Sequence, residues 1–434
     1  MNNNIDRRKF FTISAMSTLA IQTSKIANSS VNQDKPVRIG MIGMGNRGCS
    51  LLGILLRLKN VEIPAICDIK QERLDYANSL FQKAGHKKPE IYNQNEYAFE
   101  KVNSRDDLDA IIIATPWNWH TKMAVSAMKS GKYVGVEVPA ATSVDECWEL
   151  VNTAEETGVP CMMLENWSFR RDNLALLNMI REGLLGETVH GQCSYSHHCV
   201  TYFFDKNGKP RWQGEFLEKH NRDSYPTHGL GPVLSWMNIN CGDCFDTLVS
   251  VSTGSFGVEQ YFEDHFEQDA AVKTPNMKQG DVVNTIVKTK KGKTIYITND
   301  MLLPRPYDNR WMIQGTKGIY SYERNSIYLE GKSPESHTWE PFAPYQDKYD
   351  HQLWKDSPEN VEKLGHGGPD YLELDGFVKA VRSKSALPLD IYDSVTMSSV
   401  VALSEQSIAQ NNAPVQCPDF TRGKWKTNQP WFGL

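Results

Sequence analysis

Between residues 36 and 160, short apolar runs alternate with longer segments whose apolar residues recur at helical spacing. The apolar runs cover 37–42, 61–67, 108–116, 133–139 and 160–164. The helical segments between them cover 51–56, 71–84, 121–130 and 143–157. A strand buried on both faces is almost wholly apolar, and a crossover between parallel strands is usually a helix. The alternation therefore predicts an α/β unit with a doubly wound parallel sheet.

After Gly183 the pattern changes to apolar and polar residues in alternation. These stretches cover 188–196, 246–253, 281–299 and 311–329, and they predict a large, mostly antiparallel sheet with one face covered. Turn-rich loops are predicted at 204–224 and 333–368, and helices at 371–383 and 394–409. The second half is therefore predicted to be an α+β domain.

A chain of 434 residues is too long for one ordinary core, so we expect more than one domain. We divide it into a leader and linker (1–35), the doubly wound domain (36–160), the α+β domain (161–410) and an irregular tail (411–434). The leader contains Asp6-Arg7-Arg8-Lys9-Phe10-Phe11 before a weakly apolar run, and it resembles a twin-arginine export signal. We therefore expect a soluble periplasmic protein of a bacterium; the alternative is a frayed N-terminal arm.

The first predicted strand ends in Gly43-Met44-Gly45-Asn46-Arg47-Gly48 and is followed by a helix. The glycines allow a tight turn, close approach of a pyrophosphate, and close packing of helix on strand. The second strand ends at Asp68, which suits the ribose hydroxyls of NAD and would repel the additional phosphate of NADP. The segment predicts a Rossmann domain that binds NAD through Gly43, Gly45, Asn46, Arg47, Gly48 and Asp68.

Composition narrows the function classes. The net charge is −5 and the chain has no basic patch, so nucleic acid is not an expected partner. The nine cysteines are scattered, and the pair Cys241 and Cys244 lacks a second pair, so we expect no metal site. The 11 Trp and 17 Tyr residues suit a carbohydrate site, although aromatic residues also build cores.

The layout resembles the glucose–fructose oxidoreductase and inositol dehydrogenase superfamily, which joins a Rossmann domain to a sheet domain that carries a sugar site. Segment 115–120 is similar to its strand-end loop beside the nicotinamide, and Glu137-Val138-Pro139 stands where it usually has Glu-Lys-Pro. That lysine assists proton transfer at the oxidised hydroxyl, and Val138 has no proton to transfer. The departure disfavours an NAD-dependent sugar dehydrogenase, which remains the alternative function.

A closer resemblance is to glycoside hydrolase family 109, NAD-dependent α-N-acetylgalactosaminidases. It rests on segments 137–141, 164–166, 170–172, 225–232, 238–240 and 313–318, of which Tyr225-Pro226-Thr227-His228-Gly229 is the most specific. The resemblance spans about residues 36 to 410. It implies transient oxidation of the sugar at C3, loss of the C2 proton, elimination of the aglycone, addition of water and return of the hydride. It also implies a glycan substrate and a homo-oligomer.

The resemblance assigns roles to further residues. His228, in a Gly/Pro-rich turn, suits acid–base work because imidazole titrates near neutrality, and Tyr225 would point into the same pocket. The implied catalytic residues are His228 and Tyr225, and the implied sugar contacts are Tyr195, Gln213, Tyr225 and Tyr307. The implied further NAD contacts are Trp117, Asn118, Trp119, His120, Glu137, Val138, Asn166, Tyr225 and His228.

Two positions depart from the family pattern. Gln213 replaces an arginine after a tryptophan, and Phe169 replaces a tyrosine before Arg-Arg-Asp. The loss of a guanidinium and a phenol near the sugar would change which substituent is recognised. A catalytically silent sugar-binding protein on the same fold is a third hypothesis.

Overall fold

A computed structural model describes residues 35–266 and 272–433. Its first half contains six strands: β1 (Val37–Ile42), β2 (Val61–Cys67), β3 (Glu90–Tyr92), β4 (Ala110–Ile113), β5 (Tyr133–Val136) and β6 (Cys161–Met163). They form a parallel sheet in the order β3-β2-β1-β4-β5-β6. The predicted Rossmann sheet is confirmed, and β4 is fully buried, as a central parallel strand should be.

The crossovers of this sheet are helical: α1 (Asn46–Leu55), α2 (Gln71–Ala84), α3 (Phe99–Asn103), α4 (Trp117–Lys129) and α5 (Val144–Thr157). Local sequence sets their ends. Helix α5 begins with a capping box in which Ser143 and Glu146 satisfy each other's backbone N–H groups. Helices α2 and α5 end at Gly85 and Gly158, both with positive φ, where glycine carries no steric penalty.

After β6, a 3-10 turn over Asn166–Phe169 leads into α6 (Arg171–Arg181) and the second sheet. That sheet contains β7 (Thr188–Ser196), β8 (Phe245–Ser252), β9 (Val282–Thr289), β10 (Thr294–Asp300), β11 (Met312–Gly315), β12 (Gly318–Ser321), β13 (Ser326–Leu329), β14 (Glu340–Pro341) and β15 (Val415–Gln416). The order is β14-β13-β12-β11-β7-β10-β9-β8-β15, and among the described pairs of this second sheet only β7–β10 is parallel. The expectation of a mostly antiparallel sheet is confirmed.

The helices of this half are α7 (Val200–Phe203), α8 (Trp212–Lys219), α9 (Thr227–Trp236), α10 (Gly257–Phe266), α11 (Ala343–Lys348), α12 (Gln352–Lys355), α13 (Pro369–Ser383) and α14 (Ile391–Ala409). Three of these helices lie where the sequence predicted loops, and one strand lies in the tail that was predicted to be irregular. Segment 204–224 contains α8, segment 333–368 contains α11 and α12, and β15 belongs to the tail. Tertiary packing explains α7, α8 and α10, which close a small core that includes Val200, Leu217 and Phe262.

Helix α9 covers β7, and α14 packs against both β8 and α5. One continuous hydrophobic core therefore includes residues of both sheets. Within the described ranges, no helix has the length and apolar character needed to cross a bilayer. The twin-arginine leader lies outside the described residues.

Candidate active site

The glycine loop after β1 has the shape of a dinucleotide cradle. Gly43 has a φ of +90°, and a Cβ at Gly48 would lie 1.9 Å from the Gly43 carbonyl oxygen, so both positions require glycine. A Cβ at Gly45 would meet nothing within 4 Å, which leaves open space beside the N-terminus of α1. A pyrophosphate fits this combination of close backbone packing and open space.

Asp68 lies beside the glycine loop, as predicted. Its Oδ2 accepts a hydrogen bond from Met44 N at 2.6 Å. Arg73 donates to the Met44 carbonyl at 2.9 Å and to Asn46 Oδ1 at 3.1 Å. These contacts hold the loop in place from the side of β2 and α2.

Arg47 is the centre of an ion-pair network between the two halves of the chain. Its Nε lies 2.5 Å from Glu137 Oε1, and its Nη1 lies 2.8 Å from Asp370 Oδ2 on α13. Burial alone would raise the pKa of Asp370, but a hydrogen bond to His366 and the Arg47 charge outweigh it and hold that pKa well below its ordinary value. The carboxylate therefore stays ionised and keeps α13 bound to the glycine loop.

Asn166 belongs to the same network. Its Nδ2 donates to Asp370 Oδ1 at 2.6 Å, while its Oδ1 is buried and has no partner among the described residues. A buried polar atom without a partner is costly, so this oxygen fits a donor on a bound ligand. Three predicted cofactor residues, Arg47, Glu137 and Asn166, are thus adjacent at the carboxyl end of the first sheet.

The predicted catalytic and sugar-binding residues form an aromatic cluster, which we define as Tyr195, Tyr225, His228 and Tyr307. The His228 ring centroid lies 5.2 Å from that of Tyr225 and 5.6 Å from that of Tyr195. Tyr195 lies 4.6 Å from Tyr225 and 5.8 Å from Tyr307. His228 occupies the first turn of α9 and not a loop, which corrects the predicted turn.

The aromatic cluster adjoins the cofactor cradle. Trp117, the first residue of α4, packs 5.9 Å from Tyr225, and Trp167 packs 6.1 Å from His228 and 5.9 Å from Tyr307. Burial raises the pKa of Tyr225 well above its ordinary value. This phenol therefore keeps its proton at neutral pH and is able to donate a hydrogen bond.

Burial and packing place two of the predicted cofactor contacts, whose contact with NAD stays a prediction. His120 is 1% exposed, with Nδ1 and Nε2 each 2.7 Å from the main-chain carbonyls of Pro139 and Thr115, so it braces two loops. Trp119 packs edge-on against Tyr97 and Phe99. Of the residues in the first turn of α4, Trp117 is the one for which the structure records a ring contact to the aromatic cluster.

Four further positions singled out in the sequence are placed by the structure. Val138 is 2% exposed as a whole residue and packs in the core, and its contact with NAD stays a prediction. Phe169 is 1% exposed and packs 5.2 Å from Phe432, which makes it a packing residue and not a sugar contact. Gln213 is half-buried in α8, and no hydrogen bond within the described ranges ties its side chain to the aromatic cluster. Asn118 is exposed in the first turn of α4.

Three residues of the site were missed in the sequence. Glu165 lies 2.8 Å from His228 Nδ1, Asp370 binds Arg47, and His366 packs 5.7 Å from Trp167 with half of its side chain exposed. The run Gly365-His366-Gly367-Gly368 before a helix was a signal for a loop with a functional histidine. Glu165 and Asp370 carried no comparable signal.

Comparisons with known proteins agree with this geometry. Residues 169–427 match the family "Glycosyl hydrolase 109, C-terminal domain", and residues 37–165 match "Oxidoreductase family, NAD-binding Rossmann fold". The chain is 39% identical to an α-N-acetylgalactosaminidase of Tannerella forsythia, over 96% of this chain and 92% of that protein. It is also 39% identical to one of Shewanella oneidensis, over 99% and 98% respectively.

Solved structures show the same fold at low identity. An NAD-binding oxidoreductase from Klebsiella pneumoniae has a TM-score of 0.69 at 17% identity, over 88% of this chain and 99% of that one. Scyllo-inositol dehydrogenase from Lactobacillus casei, with bound NAD(H) and scyllo-inositol, has a TM-score of 0.61 at 13% identity, over 88% and 99%. Because one family match covers more than half of the chain and the curated relatives match nearly all of it, this protein belongs to glycosyl hydrolase family 109.

Proposed function

We propose that this protein is an NAD-dependent α-N-acetylgalactosaminidase. The observation that carries the proposal is that the residues proposed for acid–base chemistry contact the segment after β4, which borders the glycine loop. Trp117 of that segment packs against Tyr225, which packs against His228, and the Ala114 carbonyl of the same segment lies against Gly43. Two relatives that match almost the whole chain bear the name of this activity.

NAD fits the residues of the cradle. The open space at Gly45, the Asp68 carboxylate and the free Oδ1 of Asn166 would meet its pyrophosphate, ribose and polar groups. The negative charge of Asp68 favours NAD over NADP. Bound there, NAD would supply a reversible acceptor for the hydride at sugar C3.

His228 and Tyr225 would handle charge at the C3 oxygen. His228 takes the hydroxyl proton as C3 is oxidised and returns it when C3 is reduced. The adjacent Tyr225 hydroxyl donates to the C3 carbonyl oxygen, where negative charge develops when the C2 proton is lost. The raised pKa of Tyr225 supports the role of donor and opposes that of base.

His366 is positioned to assist the leaving group. Its imidazole packs on the Trp167 ring, which also contacts His228 and Tyr307, and its side chain is half exposed. A histidine at the edge of the pocket can give a proton to the departing oxygen and receive one from water. Replacing His366 by Asn should therefore slow phenyl glycosides much more than nitrophenyl glycosides, whose leaving groups need no proton.

Hydrolysis of 4-nitrophenyl α-N-acetylgalactosaminide in D2O tests the mechanism. The C2 proton is lost and regained during elimination and addition, so the released sugar should carry one deuterium at C2 that survives return to H2O. Replacing His228 by Ala should lower kcat at least about a hundredfold. Hydrolysis without deuterium at C2 would contradict the proposed route. Stoichiometric NADH without release of nitrophenol would favour the alternative, a sugar dehydrogenase.

We also propose that the protein is exported to the periplasm. The support is the segment Asp6-Arg7-Arg8-Lys9-Phe10-Phe11 and the weakly apolar run after it. Cell fractionation should find the protein in the periplasm, and replacing Arg7 and Arg8 by Lys should retain it in the cytoplasm. Periplasmic recovery of the double-lysine variant would exclude this signal.

A homo-oligomer is proposed from the sheet face opposite α9. Val251 and Ile286 project from that face on β8 and β9 and are 49% and 53% exposed. Paired copies would remove this apolar surface from water. Light scattering of the wild-type protein should give a multiple of the mass of one chain. Replacing Ile286 by Lys should lower the measured mass. A monomeric wild-type protein would refute the assembly.

A further inference from the structure

We propose that Glu165 is the positioning residue for His228. Its Oε1 lies 2.8 Å from His228 Nδ1, and this contact leaves Nε2 of the imidazole for the sugar hydroxyl. The carboxylate would fix which ring nitrogen carries the proton in the neutral state and would stabilise the imidazolium that forms when His228 accepts a proton. The inference rests on the proposed acid–base role of His228.

The Glu165 carboxylate is prepared for this task by its own hydrogen bonds. It is fully buried. Oε1 accepts from Trp167 N at 3.1 Å, and Oε2 accepts from Ser168 N at 2.9 Å and Ser168 Oγ at 2.6 Å. Donors to both oxygens hold the group in one orientation and satisfy its buried polar atoms. The Nδ1–H of a neutral imidazole can donate a hydrogen bond to a carboxylate that is held in this way.

Helix α9 is shaped to approach this carboxylate. A Cβ at Gly231 would lie 1.9 Å from Glu165 Oε2 and 2.6 Å from Ser168 Oγ. On another face of the helix, a Cβ at Gly229 would lie 3.0 Å from the Ser194 carbonyl oxygen of β7. The two glycines let α9 lie close to both the sheet and Glu165, and so place His228 between the carboxylate and the tyrosines.

A simpler role for Glu165 is to cap the 3-10 turn at Asn166–Phe169. A cap needs only the N–H groups of Trp167 and Ser168, and its loss would lower stability alone. A positioning role also changes the protonation of His228. The two roles therefore differ in how the rate depends on pH.

The first test compares Glu165→Gln with Ser168→Ala. The Gln variant keeps the shape and removes the charge, whereas the Ala variant removes one hydrogen bond and keeps the charge. For Glu165→Gln we expect kcat to fall at least about tenfold with little change in KM. The acid limb of kcat should move to lower pH by roughly one unit or more, because the imidazolium loses its anion. The pH profile of Ser168→Ala should match the wild type.

A Glu165→Gln profile that keeps the wild-type acid limb would overturn the proposal, as would unchanged kcat. The second test needs neither activity nor a variant of Glu165. Nitrogen NMR of the wild-type protein, with His228→Ala used to assign the signal, should show the neutral His228 ring protonated on Nδ1. Protonation on Nε2 would overturn the positioning role. If the ring is protonated on Nδ1 but the glycoside is not cleaved, the proposed function fails and the positioning contact stands.

Discussion

Replacing Gly231 by Ala should separate His228 from Glu165 although neither of these two residues is itself replaced. The new Cβ would lie 1.9 Å from Glu165 Oε2, and ordinary contact begins at 3.4 Å. The carboxylate, which is buried and held by three donors, would have to retreat by about 1.5 Å, the difference between these distances. A retreat of that size breaks the 2.8 Å contact with His228.

Three effects set the size of the change. Alanine in a helix interior is more favourable than glycine by about 1 kcal/mol, which raises the free energy of unfolding. Overpacking in a core costs about 1–3 kcal/mol. The loss of a hydrogen bond to a charged group costs about 1.5–3 kcal/mol. We therefore expect Gly231→Ala to lower the free energy of unfolding by about 1.5–5 kcal/mol. It should also lower kcat, as we expect for Glu165→Gln.

Gly53→Ala is the matched control, because Gly53 lies inside α1 and a Cβ there meets nothing within 4 Å. It should raise the free energy of unfolding by about 0.5–1 kcal/mol and leave kcat unchanged. Urea unfolding followed by tryptophan fluorescence gives the free energies, and nitrophenol release gives kcat. Equal stability and equal kcat in the two variants would refute the reasoning about Gly231.

Three other variants test the rest of the site. Burial raises the pKa of Glu373, so folding becomes less favourable as pH rises from the pKa of the unfolded state toward that of the folded state. The melting temperature of Glu373→Gln minus that of the wild type should therefore increase between pH 5 and pH 8. A difference that stays constant over this range would contradict the reasoning. Asp370→Asn removes a buried charged partner of Arg47 and should lower the free energy of unfolding in urea by about 3–5 kcal/mol. Asp347→Asn, which removes the partner of Arg171 in an exposed pair, should change it by roughly nothing. Equal losses in the two variants would exclude a structural role for the Arg47 network. Ser143→Ala removes the capping box of α5 and should cost about 1 kcal/mol by the same assay, where an unchanged free energy would show that the cap contributes nothing.

The first sheet and its ligand-binding edge were predictable because local patterns encode them. Apolar runs mark parallel strands, and the spacing of Gly43, Gly45 and Gly48 marks the turn after β1. The pairing of Tyr225 with His228 was also local, since three residues separate them. Such features need only the chain near them.

The contacts between distant segments were not predictable. Glu165 meets His228 across 63 residues, and Arg47 meets Asp370 across 323. Many acids in the chain could have paired with either group, and one sequence contains no signal that selects among them. Helix α4 begins four residues earlier than predicted, so the sequence did not show which side of that helix Trp119 and His120 would occupy.

Glu165 and Asn166 are neighbours in the chain but serve opposite sides of the active site. Glu165 holds His228 of α9, and Asn166 holds Asp370 of α13 near the glycine loop. The match to the Rossmann family ends at residue 165, and the match to the C-terminal family begins at residue 169. A chimaera joined at that boundary would take Glu165 from one parent and its partners from the other. A chimaera that combines the first domain of one protein with the second domain of another should therefore take β6, the 3-10 turn and α9 from a single parent.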